Sequence, residues 1–228
     1  MKVYNFSPGP AKLDSSIISK SQEAMYNFQN TGLSILEIGH RSKEFEKLMN
    51  SLQENIRNIF NVPTNYFTLF LQGGATFQNT FIANNFDKRD KDLGCLVTGT
   101  WGKNTFDDFS KIRETKLIEL SQDEIENFVE SGEDLKNVDY LHLTSNETIN
   151  GVQLREFNKI NHDSLLIDMS SDIGSYRFEW DNIAYIYAGA QKNMGIPGVS
   201  ICIGDEKHLN SADNSKYLNI GQLVEKKS

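Results

Sequence analysis

The chain has 228 residues, 38% of them hydrophobic and 24% charged, which suits one large soluble domain with a substantial core, or two small ones, and excludes a disordered chain. A formal net charge of −8 argues against nucleic acid or an anionic membrane as the main partner, though not against an anionic small ligand held at a local positive site. No apolar run reaches membrane-spanning length and MKVYNFSPGPAKL has no signal-peptide core, so no membrane partner and a cytoplasmic location are expected.

From the amino end, Ser7-Pro8-Gly9-Pro10 is a constrained, irregular entry. Asp14 or Ser15 is placed to cap a helix running to about Asn30. A polar-apolar loop, TGLSILEIGHRSKEF, follows and carries His40-Arg41. Ser42 caps the next predicted helix, whose apolar positions Phe45, Leu48, Leu52, Ile56 and Phe60 recur at helical spacing. From Tyr66 the pattern changes to short apolar strands alternating with helices. The strands are expected at 66–71, 93–99, 115–120, 139–144, 165–170, 184–189 and 199–204, with helices after Gly74, Gly102 and Ser121. This alternation predicts an α/β domain with a mostly parallel, seven-stranded sheet covered on both faces, a three-layer α/β/α arrangement. Cys95 and Cys202 each sit inside an apolar run, as reduced core cysteines do, and no CxxC or His/Cys cluster suggests a metal site. The tail from about Lys207 to Ser228 is polar, weakly patterned and unlike the finish of a compact domain.

Ligands of such folds sit at the carboxyl ends of the strands, and four strand-end segments here carry related chemistry. In IAYIYAGAQKNMGIPGVSICIG, Lys192 is the only charged residue in a stretch of 22. A lysine between buried strands is partly desolvated, which favours the neutral amine that forms a Schiff base with a carbonyl, including the aldehyde of pyridoxal 5′-phosphate (PLP). In LFLQGGATFQ a strand runs through Gly73-Gly74 into Ala75-Thr76 and a helix, a turn whose backbone N–H groups can approach a phosphate. Trp101 follows a strand directly, where a flat ring can stack on a planar heteroaromatic group. Asp168 closes LLID, where a carboxylate needs a cationic partner such as a protonated pyridine nitrogen. Each has a plain structural alternative: a solvated turn lysine, a structural Gly-Gly turn, a core-edge tryptophan, a helix cap or salt bridge. Together they make a full inventory for PLP.

Seven segments in order then carry a family resemblance: NFSPGPAKL at 5–13, EIGHRSKEF at 37–45, QGGATFQ at 72–78, TWGKNT at 100–105, SNETINGV at 145–152, IDMSSDIGS at 167–175 and YAGAQKNMGIPG at 187–198. The chain resembles the PLP-binding large domain of the phosphoserine aminotransferase family, fold-type I enzymes of the class V aminotransferase group, over residues 1–228. The resemblance implies the following roles. Lys192 is the Schiff-base and proton-carrying lysine. Asp168 holds the pyridine nitrogen, Trp101 stacks on the ring and Thr148 bonds the phenolic oxygen. Ala75, Thr76 and Gln191 hold the cofactor phosphate, while His40 and Arg41 bind the substrate's phosphate, for which an Arg fork is suited. It also implies amino-group transfer from L-glutamate to 3-phosphohydroxypyruvate in serine biosynthesis, with a link to pyridoxine biosynthesis, and a homodimer.

Against the family pattern, a small carboxyl-terminal domain is expected to be missing. With it go an arginine for the substrate carboxylate and an Asn-Thr segment that reaches the partner's cofactor. Slow or undetectable turnover is therefore expected of this chain alone. Two alternatives stay open at this level: a non-catalytic PLP-binding or dimerising remnant, and another class V aminotransferase.

Overall fold

A computed structural model of the chain describes residues 3–86, 92–131, 135, 137–209 and 217–226. They divide into two compact units, Met1–Asn61 and Val62–Ser228. In the first unit, α1 spans Ser15–Asn27, and the Asp14 carboxylate caps it by accepting from the Ser16 N–H at 2.8 Å. The helix stops short of Asn30 because Gln29 and Asn30 take φ values of 48° and 62°, outside the helical region. α2 spans Lys43–Phe60, with Ser42 Oγ accepting from the Phe45 N–H at 3.2 Å and Asn61 closing it in the left-handed conformation.

The second unit holds all seven expected strands. β1 (Tyr66–Gln72) leads through α3 (Gly74–Asn85) to β2 (Asp92–Val97), and α4 (Thr100–Ser110) leads on to β3 (Thr115–Glu119). α5 (Ile125–Ser131) precedes β4 (Val138–Thr144). A small hairpin, β5 (Asn146–Glu147) with β6 (Val152–Gln153), comes before β7 (Leu165–Asp168), β8 (Ile183–Gly189) and β9 (Val199–Asp205). The sheet order is β1-β9-β8-β7-β4-β2-β3. Only β9 runs against its neighbours, so the other six strands point the same way.

Near-continuous apolar strands imply burial on both faces, and the sheet has it. One face, with Leu69, Cys95, Tyr140, Leu166, Tyr185, Tyr187 and Cys202, joins a core with Phe81, Ile82 and Phe86 of α3 and Phe109 of α4. The other presents Leu96, Leu141, Leu143, Leu165, Ile167, Ile186 and Ile203, all buried as well. Both cysteines are buried and free.

Part of the tail packs more firmly than its sequence suggests. α6 (Ile220–Lys226) follows a turn at Tyr217, and Ile220 is fully buried in the core. The Asn85 amide fixes it, donating to the Leu218 carbonyl at 2.6 Å and accepting from the Ile220 N–H at 2.9 Å. Residues 210–216 and 227–228 of the tail lie outside the described residues.

Candidate functional site

Because six strands are parallel, the carboxyl ends of β1, β2, β4, β7 and β8 share one edge of the sheet. The register sharpens this. Val199, opening β9, pairs with Gln72 at the end of β1, and Ser200 pairs with Gly189 at the end of β8. The Gly73-Gly74 turn and the Ala190–Lys192 turn therefore stand at the same height, about 10 Å apart across the intervening strand. Asp168 pairs with Tyr187 on one side and Thr144 on the other.

Asp168 ends β7 with its side chain partly open to this edge. Its Oδ1 accepts from the Ser170 N–H at 2.8 Å. Burial nevertheless raises its pKa above the ordinary carboxylate value, and the Ser170 bond and the Lys192 charge recover only part of that shift. Among the described residues no ion pair neutralises this carboxylate, and a pyridinium N–H would supply a close cationic partner. Beneath it, Tyr187 belongs to a buried polar chain. His142 Nε2 lies 3.0 Å from the Tyr187 hydroxyl, which donates to Asn79 Oδ1 at 3.3 Å, and Asn79 Nδ2 donates to Asp108 at 3.0 Å. Burial, then the Asp168 charge, pushes the Tyr187 phenol well above its ordinary pKa, so it stays protonated. Burial lowers the His142 pKa to about 3, which keeps the imidazole neutral.

Trp101 opens α4 and is 42% exposed, so it is not a core-edge residue. Its indole Nε1–H donates to Thr148 Oγ1 at 2.9 Å. Lys192 Nζ lies 5.7 Å from the centre of the indole ring, within cation–π reach. The lysine sits three residues beyond β8, partly buried in a turn. Around that turn the Gly195 N–H donates to the Ala190 carbonyl, the Ser170 hydroxyl accepts from the Gly189 N–H, and Asn193 Nδ2 donates to the Ile173 carbonyl. The Gln191 side chain folds back over Gly189, where a Cβ would meet its Oε1 at 2.6 Å.

The amino ends of α3 and α4 both face this edge but differ. α4 is filled: Glu147 of β5 accepts from the Trp101 and Gly102 N–H groups, and Asn150 Oδ1 accepts from Thr100 N–H at 3.3 Å. α3 has Gly73, with φ 97°, at its cap position, and no side chain caps it. Ala75, partly buried, and Thr76, exposed, lie in its first turn. An uncapped helix start with small residues suits an anion.

The sheet edge thus gathers Ala75, Thr76, Trp101, Thr148, Asp168, Gln191 and Lys192. An aromatic plate, an unneutralised carboxylate, an amine and an uncapped helix start fit a cationic planar ring carrying an aldehyde and an anionic arm. His40 and Arg41 lie in the first unit, exposed at the centre of a turn closed by Ser42 N–H to the Gly39 carbonyl at 2.9 Å. Sequence reasoning missed Glu147, Ser170 and the His142–Tyr187–Asn79 chain. The Asn-Glu-Thr-Ile-Asn-Gly run was the one visible signal for Glu147, and it pointed only to Thr148.

Comparison with known proteins agrees with this fold. The family model for Aminotransferase class-V matches residues 3–228. The phosphoserine aminotransferase of Geobacillus kaustophilus (strain HTA426) is 40% identical over 206 residues, covering 89% of this chain and 57% of that protein. That of Streptococcus thermophilus (strain LMD-9) is 37% identical over 219 residues, covering 92% and 60%. Among solved structures, the phosphoserine aminotransferase of Bacillus circulans subsp. alkalophilus superimposes with a TM-score of 0.90 at 33% identity, over 100% of this chain and 64% of that one. The PLP-bound phosphoserine aminotransferase of Trichomonas vaginalis gives a TM-score of 0.86 at 28% identity, over 99% and 69%. The chain spans 57–60% of the length of these two curated relatives.

Proposed function

The chain belongs to the class-V aminotransferase family, and from that premise we propose that its strand-end cleft binds PLP and serves amino-group transfer from L-glutamate to 3-phosphohydroxypyruvate. When bound, PLP supplies an electron sink for the carbanion formed at the substrate α-carbon. The chain's own residues bind, orient and move the proton. Ala75, Thr76 and Gln191 hold the phosphate arm. Trp101 fixes the ring plane. Asp168 pairs with the ring nitrogen and keeps it protonated. Thr148 accepts from the indole, so its own hydroxyl proton is left to donate to the phenolic oxygen. Lys192 Nζ would hold the cofactor at its aldehyde and would move the proton at the substrate α-carbon. His40 and Arg41 bind the substrate's phosphate, the guanidinium through a planar fork.

The observation that carries this reading is the Lys192 amine 5.7 Å from the centre of the Trp101 ring, beside a carboxylate that burial leaves poorly neutralised. Because the chain spans 57–60% of those relatives, the deciding experiment needs only residues within it. Purified protein with added PLP is expected to develop a visible absorption band that Lys192→Ala abolishes. No band, or one unchanged in the variant, would sink the reading. We further propose a cytoplasmic location and a homodimer, the dimer supported by the exposed apolar side chains of the first unit, among them Phe6, Tyr26 and Leu36.

A further inference from the structure

The amino end of α4 is capped from far along the chain. Position 99, where a capping side chain normally sits, is glycine. Its role falls to Glu147, a fully buried carboxylate more than 40 residues away. Glu147 Oε2 accepts from the Trp101 N–H at 2.9 Å and Oε1 from the Gly102 N–H at 2.6 Å. Asn150 takes the Thr100 N–H, and the Lys103 N–H bonds the Gly99 carbonyl, so the N–H groups of residues 100–103 are all taken. Room for the carboxylate comes from two glycines. A Cβ at Gly99 would lie 2.7 Å from the Glu147 carboxyl carbon, and one at Gly102 would lie 3.2 Å from Oε1.

A serine at position 99 would satisfy one of these donors locally. What it would not do is tie α4 to the β5–β6 hairpin. The hairpin is itself fixed by pairing of Glu147 with Val152 and by the Gly151 N–H bonding the Glu147 carbonyl at 2.8 Å. Thr148, next along, accepts from the Trp101 indole. Trp101 is thus held at two points by adjacent residues of one hairpin: its backbone by Glu147 and its ring by Thr148.

We infer that Glu147 is the positioning residue of the cleft, setting the plane of the Trp101 ring and the direction of the Thr148 hydroxyl together. A carboxylate bonded to two N–H groups at a helix start is a strong and directional link. The inference deepens the cofactor reading and rests on it, but the tether exists without cofactor and is testable there.

The test uses the full chain labelled with 15N, first without PLP. Its two tryptophans give two indole N–H signals, assigned by Trp101→Phe. In Glu147→Gln, the Trp101 signal is expected to shift and exchange faster with solvent, while the Trp180 signal and the far-ultraviolet circular dichroism stay as in the wild type. Gly99→Ala, which displaces the carboxylate without altering it, is expected to reproduce the effect. PLP titration then follows, with binding expected to weaken about tenfold or more in both variants and the induced circular dichroism of the bound cofactor to fall. An unmoved Trp101 signal in both variants overturns the inference, as does a parallel disturbance of Trp101 and Trp180, which marks general destabilisation. Wild-type protein that binds no PLP overturns the cofactor reading instead, leaving the apo result to decide the tether.

Discussion

Asp168 is stabilised less well than a surface carboxylate, at a cost that grows with pH. Burial raises its folded-state pKa above the unfolded value, so the fold favours the protonated form. Stability is then lost as pH rises from the ordinary carboxylate range through the raised value. Asp168→Asn keeps an oxygen for the Ser170 N–H and removes the charge. Without cofactor it is expected to melt at a higher temperature than the wild type at neutral pH. Added PLP should raise the melting temperature of the wild type by more than that of the variant, and a thermal melt with and without PLP measures both. His142 runs the other way. Its pKa is lowered to about 3, so its contribution is present above the unfolded value, about 6.5, and is lost as pH falls between the two. Urea titrations should show stability falling by up to about 1.4 kcal/mol per pH unit in that window, with a shallower slope in His142→Gln.

Among the elements, the caps at Asp14 and Ser42 were legible because donor and acceptor lie two or three residues apart. Strand and helix identities followed from apolar periodicity, and Asp168 and Lys192 from their place just after apolar runs. Glu147 and Asn85 were not legible, since each meets its partners only after the chain has travelled 45 to 135 residues. Asn85 illustrates the cost of such a link. Its amide satisfies the Leu218 carbonyl and the buried Ile220 N–H, so Asn85→Ala orphans both. A loss of about 2–4 kcal/mol in urea unfolding is expected, with new proteolytic cleavage within 217–226. An unchanged midpoint and cleavage pattern would show that α6 is held by its apolar contacts alone.

At the scale of the molecule, the strand count and mostly parallel sense could be read from the sequence, whereas the strand order could not. Seven similar apolar runs carry no label for their neighbours, and the insertion of β9 between β1 and β8 is decided only by packing. The exposed apolar residues of the first unit belong to this scale too, with Phe6 at 90% and Tyr26 at 88% exposure. Light scattering after size exclusion is expected to give the mass of two chains, and Tyr26→Glu with Leu36→Glu to shift it toward one. A wild-type monomer at micromolar concentration would contradict the homodimer.

The reversed strand has a consequence in time. β8 and β9 are joined by a nine-residue connection and can pair as soon as both leave the ribosome, so the lysine turn assembles from local contacts. β1 has only β9 for a neighbour, and its partner is made more than 120 residues later. Until then Phe67, Leu69 and Leu71 form an apolar strand with an open edge, prone to wrong pairings during synthesis. The glycine turn after β1 and the lysine turn after β8 therefore both wait on β9, and the two ends of the cleft mature together, late in synthesis.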